Sequence, residues 1–593
     1  MDIENIMCQQ KSVQVINSNM IKQLNANICN GELLIKYSRK LIDLEFLQDF
    51  QIHNLELIDC KNIIPKLVSN TIKQFKAENC DIQDVDGLLF ENLEILNVSE
   101  NYISQFSNFA KFKQLIQLNI SNTNCIDISN LQLFRLKILD LSNNNIRDLS
   151  PLSNIINLEE INLSCNANID IIPLKYLRQL TKLNISYCQL SSITTLEQLT
   201  KLIELNVSYN QDVDIAPLQF LVNLEKLNIS ATRTNNIDIL QSLNNLLELN
   251  ISRNRIADIN VIKYFVNLTS IQLSYTMVKS LKQLQSLVNL KEIIQKGTPD
   301  VSYQTLQKMV HLQKLTLCCN NLCNVSVIGG LTNLYDLNLS YNDNLDITPL
   351  QYLVSLTNLD ISYCDINDIS SLRTLANLEI LNISENRISN ISNLKNQIQL
   401  IELDISYNII KEITVLKQLR CLKVLNLSGN KGVVISPLQY LTQLTTLILC
   451  ECCIYEISVL RPLVNIECLN ITNNNIFYFY PIRDLDADIQ VKSNLIVTSS
   501  DLFTFFDVKD KSEFISTQPT DQQISLAQIM KIVDITRQYI KDINTLCKKY
   551  VLRKIFTTQI IDALLQKKAN ILSVLSQKVA QCFKLLGEQE SYQ

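Results

Sequence analysis

Residues 224–245 read LEKLNISATRTNNIDILQSLNN, and the spacing of apolar residues in that stretch decides the fold. Leu224, Leu227 and Ile229 open it. Leu227 and Ile229 alternate about Asn228, the pattern of a short strand with one buried face. Ile237, Leu240 and Leu243 then recur every third residue, which suits a 3-10 or one-turn helical segment. Calling Leu224 position 1, the unit has apolar residues at positions 1, 4, 6, 14, 17 and 20.

The unit repeats in both directions. Position 1 falls at Leu93, Leu115, Leu136 and Leu158, then every 22 residues to Leu444 and Ile466, with a single interval of 21. Weaker copies precede these at Ile52, Leu55, Leu57 and at Ile72, Phe75, Ala77, with a degenerate one at Leu33 and Ile35. Position 9 is Asn in most copies (Asn101, Asn166, Asn210, Asn254) and otherwise Cys or Thr (Cys188, Thr232, Cys364, Cys452). Each is a small side chain able to hydrogen-bond main chain where it turns from the strand, and a stacked asparagine is expected to serve its own turn and the next. Pro151, Pro173, Pro217, Pro349 and Pro437 precede position 17, where a first helical turn tolerates the missing N–H. A chain of this length escapes division into many globular domains because each repeat buries its core against its neighbours.

These positions resemble the leucine-rich-repeat family, specifically its 22-residue class, which includes a regulatory subunit of type 1 protein phosphatase and the bacterial internalins. The resemblance covers about residues 50–487 and implies an α/β leucine-rich-repeat solenoid: a curved parallel sheet inside, short 3-10 or α turns outside, protein ligands on the concave side. It also implies that positions 3, 5, 7 and 8 face that side. Position 5 is mostly Asn and position 7 nearly always Ser, a uniformity that reads as structural habit. Position 8 is often aromatic. Tyr187, Tyr209, Tyr275, Tyr341, Tyr363 and Tyr407, with Arg253, form the candidate protein-binding stripe, since Tyr and Arg are enriched at binding hot spots. Position 3 supplies secondary candidates: Glu160, Lys182, Glu204, Lys226, Glu248, Lys314, Asp336 and Glu402. The alternating sign from 160 to 226 is equally consistent with charge compensation between neighbouring strands. The copy after Leu290 breaks form, lacking the Asn and Ser and carrying Gly297 and Pro299.

Chemistry is sparse. Two histidines, His53 and His311, leave little for imidazole-based catalysis, and Gly329-Gly330 lacks the spacing and Lys-Ser/Thr of a phosphate cradle. Cys450, Cys452, Cys453 and Cys468 do not converge in repeat register on a tetrahedral metal site. No enzyme activity, cofactor, metal or nucleic acid is expected. The N-terminus MDIENIMCQQ has acids where a secretory signal has basic residues, and no stretch reaches a membrane span of about 18 apolar residues. Eleven repeats carry Asn-aliphatic-Ser/Thr sequons on one face, as at Asn97, Asn184 and Asn382, where glycans would smother the surface. A cytoplasmic location with reduced thiols follows, a nuclear one remaining open.

Residues 1–50 are expected to cap the array, 51–487 to form it, and 488–521 to serve as cap and linker. Ile532, Ile535, Tyr539, Ile543 and Ile561, Leu565, Leu572, Leu575 recur at helical spacing, predicting an α-helical extension over 522–593 suited to coiled-coil self-association or tethering. The chain is accordingly expected to be a protein-binding scaffold. A regulatory subunit docking a phosphatase or other enzyme, and a surface adhesin, are the alternatives.

Overall fold

The computed structural model describes residues 14–15, 32–36, 42–49 and 51–494, apart from 62, 104–108, 132, 299–300, 477–478, 483–484, 486 and 493. The helical extension expected over 522–593, and most of 488–521, lie outside the described residues. The chain divides into two units, Met1–Asn342 and Asp343–Gln593.

In the first unit, positions 3–5 of each repeat form a three-residue strand. Ile95–Asn97, Gln117–Asn119 and Ile138–Asp140 are followed by Glu160–Asn162 and then by one strand per repeat to Asp336–Asn338. Successive strands pair in parallel, residue opposite equivalent residue, as in Glu160↔Lys182↔Glu204↔Lys226↔Glu248. The sheet extends upstream through Gln74–Glu78, Asn54–Ile58 and Glu32–Lys36 to Gln14–Val15, so the region expected to cap the array contributes strands to it. The second unit repeats the arrangement from Asn358–Asp360 to Cys468–Asn470 and Asp488–Gln490.

The apolar positions form the core as their spacing requires. Leu224, Leu227, Ile229, Ile237, Leu240 and Leu243 are each no more than 2% exposed. Positions 15–19 form 3-10 turns, such as Ala216–Phe220 and Asp238–Ser242. The proline sits in their first turn at Pro151, Pro173, Pro217, Pro349 and Pro437. In all but the Pro437 turn an Asp two residues ahead accepts the first N–H: Ser150 donates to Asp148 at 2.8 Å, Ala216 to Asp214 at 2.9 Å. The copy of Leu33 and Ile35 has a 3-10 turn, Leu44–Asp49, but in the copies starting at Ile52 and Ile72 the convex side is extended instead, with Leu67–Ser69 paired to Leu88–Phe90. Position 1 there steps only from Ile52 to Ile72 to Leu93. A strand rises about 3.3 Å per residue against about 2.0 Å for a 3-10 helix, so extended chain lets the shorter unit complete its circuit.

Where position 9 is asparagine the side chains form a hydrogen-bond ladder, but its direction is opposite to expectation: each serves its own turn and the preceding one. Asn210, fully buried, donates from Nδ2 to the carbonyls of Ile185 at 2.8 Å and Val207 at 2.9 Å. Its Oδ1 accepts from the N–H groups of Cys188 at 3.1 Å and Leu190 at 2.9 Å. The side chain thereby closes main-chain groups that no strand partner reaches. Cys188 donates Sγ to Leu163 O at 3.2 Å, and the turn before it compensates, Asn168 N–H bonding directly to the Cys188 carbonyl at 2.9 Å. That alternative turn needs a left-handed residue at position 11, Asn168, Asp212, Asn344 and Gly432. All four fall in repeats that also carry Pro173, Pro217, Pro349 or Pro437 and are followed by Cys188, Thr232, Cys364 or Cys452. In these four places the Pro repeat and the Cys/Thr repeat after it form one 44-residue structural unit, whereas the Pro151 repeat lacks the left-handed position 11 and is followed by Asn166.

A second asparagine ladder runs at position 22, immediately before the first leucine. Asn223, Asn245, Asn267 and Asn289 donate to the carbonyls of Thr200, Val222, Asn244 and Val266 at 2.8–3.1 Å. The recurrent Asn-Leu dipeptide was the signal for it in the sequence.

Candidate protein-binding surface

Past each strand the chain turns at position 8, and every residue there from Glu100 to Asn473 has a left-handed backbone, including Gly297 and Gly429. Its N–H reaches the position-7 carbonyl of the following repeat, as from Tyr187 to Ser208 at 3.0 Å and Arg253 to Ser274 at 2.8 Å. The ladder geometry, not the side chain, imposes this conformation. Glycine and asparagine adopt it readily, whereas other residues lose about 1–2 kcal/mol. Yet Tyr187, Tyr209, Arg253, Tyr275 and Tyr341 in the first unit, and Tyr363 and Tyr407 in the second, all hold it with φ between 49° and 59°.

Their side chains lie along the row. The Tyr187 and Tyr209 rings stack with centroids 4.1 Å apart and planes 10° from parallel, and the Tyr209 hydroxyl holds the Tyr187 phenol above its ordinary pKa. The Arg253 guanidinium sits 4.7 Å over the Tyr275 ring. Tyr275 in turn covers Gly297, where an added Cβ would fall 2.2 Å from the ring, and Tyr407 covers Gly429 in the same way at 2.5 Å. Gly297, in the repeat that breaks form, thus has a local reason: it makes room for the preceding tyrosine. That repeat keeps its strand, Glu292–Ile294, and its 3-10 turn, Gln304–Lys308. Gln295 replaces an aliphatic core residue there, its Oε1 accepting from the Tyr303 hydroxyl at 2.5 Å, and burial pushes the Tyr303 phenol up. The rings remain accessible, Tyr209 36% exposed and Tyr341 52%.

The other rows of this face are internally satisfied. Position-5 side chains accept from position 7: Asn184 Oδ1 takes the Ser186 N–H at 3.1 Å and hydroxyl at 2.7 Å, and Asp404 takes those of Ser406 at 2.9 and 2.6 Å. The recurrent Asn-x-Ser is therefore a turn device. Position 3 forms ion pairs, Lys182 with Glu160 at 3.1 Å and Lys226 with Glu248 at 2.8 Å. Glu160 and Glu204 hold the Lys182 ammonium above its ordinary pKa, and Glu248 does so for Lys226. Burial raises the Asp336 carboxyl against the opposing effect of Lys314. Glu402 lies in the second unit between Ile380 and Val424. These rows floor a shallow concavity of about 510 Å³ between Ile138 and Gln272.

Cysteines at ladder positions are buried thiols. Burial pushes Cys188 up to about 11 and Cys452 up to about 12, and Cys452 Sγ donates to Leu427 O at 3.2 Å. Cys453 is exposed, while Cys450 lies within 3.3 Å of the Thr472 hydroxyl. Among the described residues no group of three or more His, Cys, Asp or Glu is gathered as a metal site, and no helix is long and apolar enough to cross a membrane.

Residues 135–176 match the family model for Leucine Rich repeats (2 copies), and with the repeat geometry this makes the chain a leucine-rich-repeat protein. Proteins of this fold are in general scaffolds for protein–protein interaction and typically non-enzymatic. An internalin of Listeria monocytogenes is 26% identical over 57% of this chain and 88% of its own, with a TM-score of 0.37. A leucine-rich-repeat protein of Leptospira interrogans is 20% identical over 65% of this chain and 99% of its own, with a TM-score of 0.48. No curated protein matches the sequence.

Proposed function

We propose that the protein is a non-catalytic cytoplasmic scaffold that holds a protein partner against the position-8 rows, one row on each unit. The observation that carries this reading is the persistence of bulky Tyr and Arg at a left-handed position where Asn or Gly is easier to accommodate. Strained backbone sites retained with large accessible side chains are a reason to look for function there. The stacked rings offer rigid, amphipathic area whose ordering is already complete before a partner arrives. The Asn184–Ser186 pair and the Lys182–Glu160 and Lys226–Glu248 ion pairs beside them are engaged with one another, whereas the rings of the row vary along it and stay accessible.

The test is affinity purification of the tagged full-length protein from its own cytosol beside two variants, Tyr187→Ala/Tyr209→Ala in the first unit and Tyr363→Ala/Tyr407→Ala in the second. A partner lost from either variant supports the reading and identifies the row used. Partners retained by both refute it. They would shift attention to the exposed apolar residues of the opposite side, among them Tyr176, Phe220 and Tyr264.

A further inference from the structure

The part of the first unit's row around Arg253 differs from its tyrosine neighbours in charge. The chain as a whole is acidic, with a formal charge of -5, and the nearby acids are already committed. Glu248 pairs with Lys226 and Glu160 with Lys182, while Glu204 acts on both lysines. Two positions beyond the row, Arg233 pairs with Asp212 at 2.8 Å. Arg255 occupies the same position one repeat on and contributes its N–H to Thr234 O at 2.9 Å. Among the described residues, neither the Arg253 nor the Arg255 guanidinium has a carboxylate within ion-pair distance.

Arg253 also has an aromatic neighbour. Its guanidinium lies 4.7 Å over the Tyr275 ring, a cation–π contact that leaves its N–H groups available to an anion. Its positive charge is felt along the row, since it favours ionisation of the Tyr187 phenol against the stronger opposing effects. Between Tyr209 and Arg253 the row carries Ala231, which ends at Cβ, so the side-chain row dips beside the guanidinium. A planar cation over a ring and without an ion-pair partner, next to a dip flanked by a tyrosine ring, is suited to a carboxylate approached bidentately.

Resting on the reading that the row is a docking surface, we propose that the Ala231 dip with Arg253 and Arg255 takes an acidic side chain of an extended partner segment. Tyr187 and Tyr209 bind its apolar neighbours without regard to charge.

Two fluorescein-labelled peptides, Ser-Glu-Leu-Glu-Ser-Glu and its isosteric Ser-Gln-Leu-Gln-Ser-Gln counterpart, are titrated by anisotropy against the full-length protein at low ionic strength. The acidic peptide is expected to bind about threefold to tenfold tighter, the range of one or two partly exposed ion pairs, and salt should narrow the gap. Arg253→Gln/Arg255→Gln should bring the ratio to near one, and Arg253→Lys should keep only part of it because the stacked plane is lost. Tyr187→Ala/Tyr209→Ala should weaken both peptides alike. Equal affinities in the parent, with sensitivity to the tyrosines, would overturn the acid-reading role and leave the docking surface standing. Preference unchanged by the arginine variants, or no binding of either peptide, would overturn the proposal. Insensitivity to both sets would overturn the docking surface as well. All substituted side chains are exposed or end in solvent, and unchanged thermal unfolding of each variant excludes misfolding as the cause.

Discussion

Replacing Asn210 by Ala removes a side chain that closes four main-chain groups at 2.8–3.1 Å: the carbonyls of Ile185 and Val207 and the N–H groups of Cys188 and Leu190. The site is fully buried, so these groups lose their partner without gaining bulk water. Each unsatisfied buried group costs about 1–3 kcal/mol. The four share one cavity, which a water can partly fill, so the total is well below their sum, about 3–5 kcal/mol. The assay is amide hydrogen exchange by mass spectrometry, because a long repeat array does not unfold as one cooperative unit. A loss of 3 kcal/mol accelerates exchange roughly a hundredfold, concentrated at Cys188 and Leu190 and fading over the neighbouring repeats. Asn210→Cys is expected to recover little, although Cys188 occupies the same position one repeat earlier. A cysteine there works only when the preceding turn has the left-handed position 11 that Asn168 supplies, and Leu190 is not in that conformation. Protection at Cys188–Leu190 unchanged in Asn210→Ala, or fully restored by Asn210→Cys, would refute the ladder as the support of these turns.

Further outcomes follow from the packing of glycines and cysteines. Gly297→Ala places a Cβ 2.2 Å from the Tyr275 ring at a φ of +60°; a loss of about 1–2 kcal/mol is expected locally. Gly330→Ala, with nothing within 4 Å, should change stability by less than about 0.5 kcal/mol; hydrogen exchange compares the two. Alkylation mapped by mass spectrometry should modify exposed Cys323, Cys421 and Cys453 well before buried Cys188 and Cys452. Because burial raises the last two to about 11 and 12, the fold retains their protons after the unfolded chain has lost them. Their contribution is full below the ordinary thiol value of 9.0 and falls as pH rises from there through the folded values. Stability to urea that stayed constant between pH 8.5 and 11 would contradict this, those bounds being chosen to straddle the ordinary thiol range of about 8.5–9.

The sequence by itself determined the repeat, its strand and 3-10 turn, and the inward positions, because each repeat meets nearly the same neighbours. A period of 22 then makes local spacing equivalent to tertiary register. It also marked the position-9 asparagines as main-chain partners and Tyr187 to Tyr407 as a recurrent row. Tertiary structure decided what lies between repeats. The asparagine ladder runs backward because position 9 of one repeat abuts positions 9 and 11 of the repeat before it. The choice of Glu160 for Lys182 and Glu248 for Lys226 depends on which flanking carboxylate each ammonium reaches, while the strand alternation alone left both neighbours equivalent. The left-handed backbone of position 8 is set by hydrogen bonds to the following repeat, so nothing in a tyrosine announces it. The sequence shows Gly297 only as a break in the pattern; its reason, the Tyr275 ring occupying the place of a Cβ, lies 22 residues away in the chain and is visible only in space.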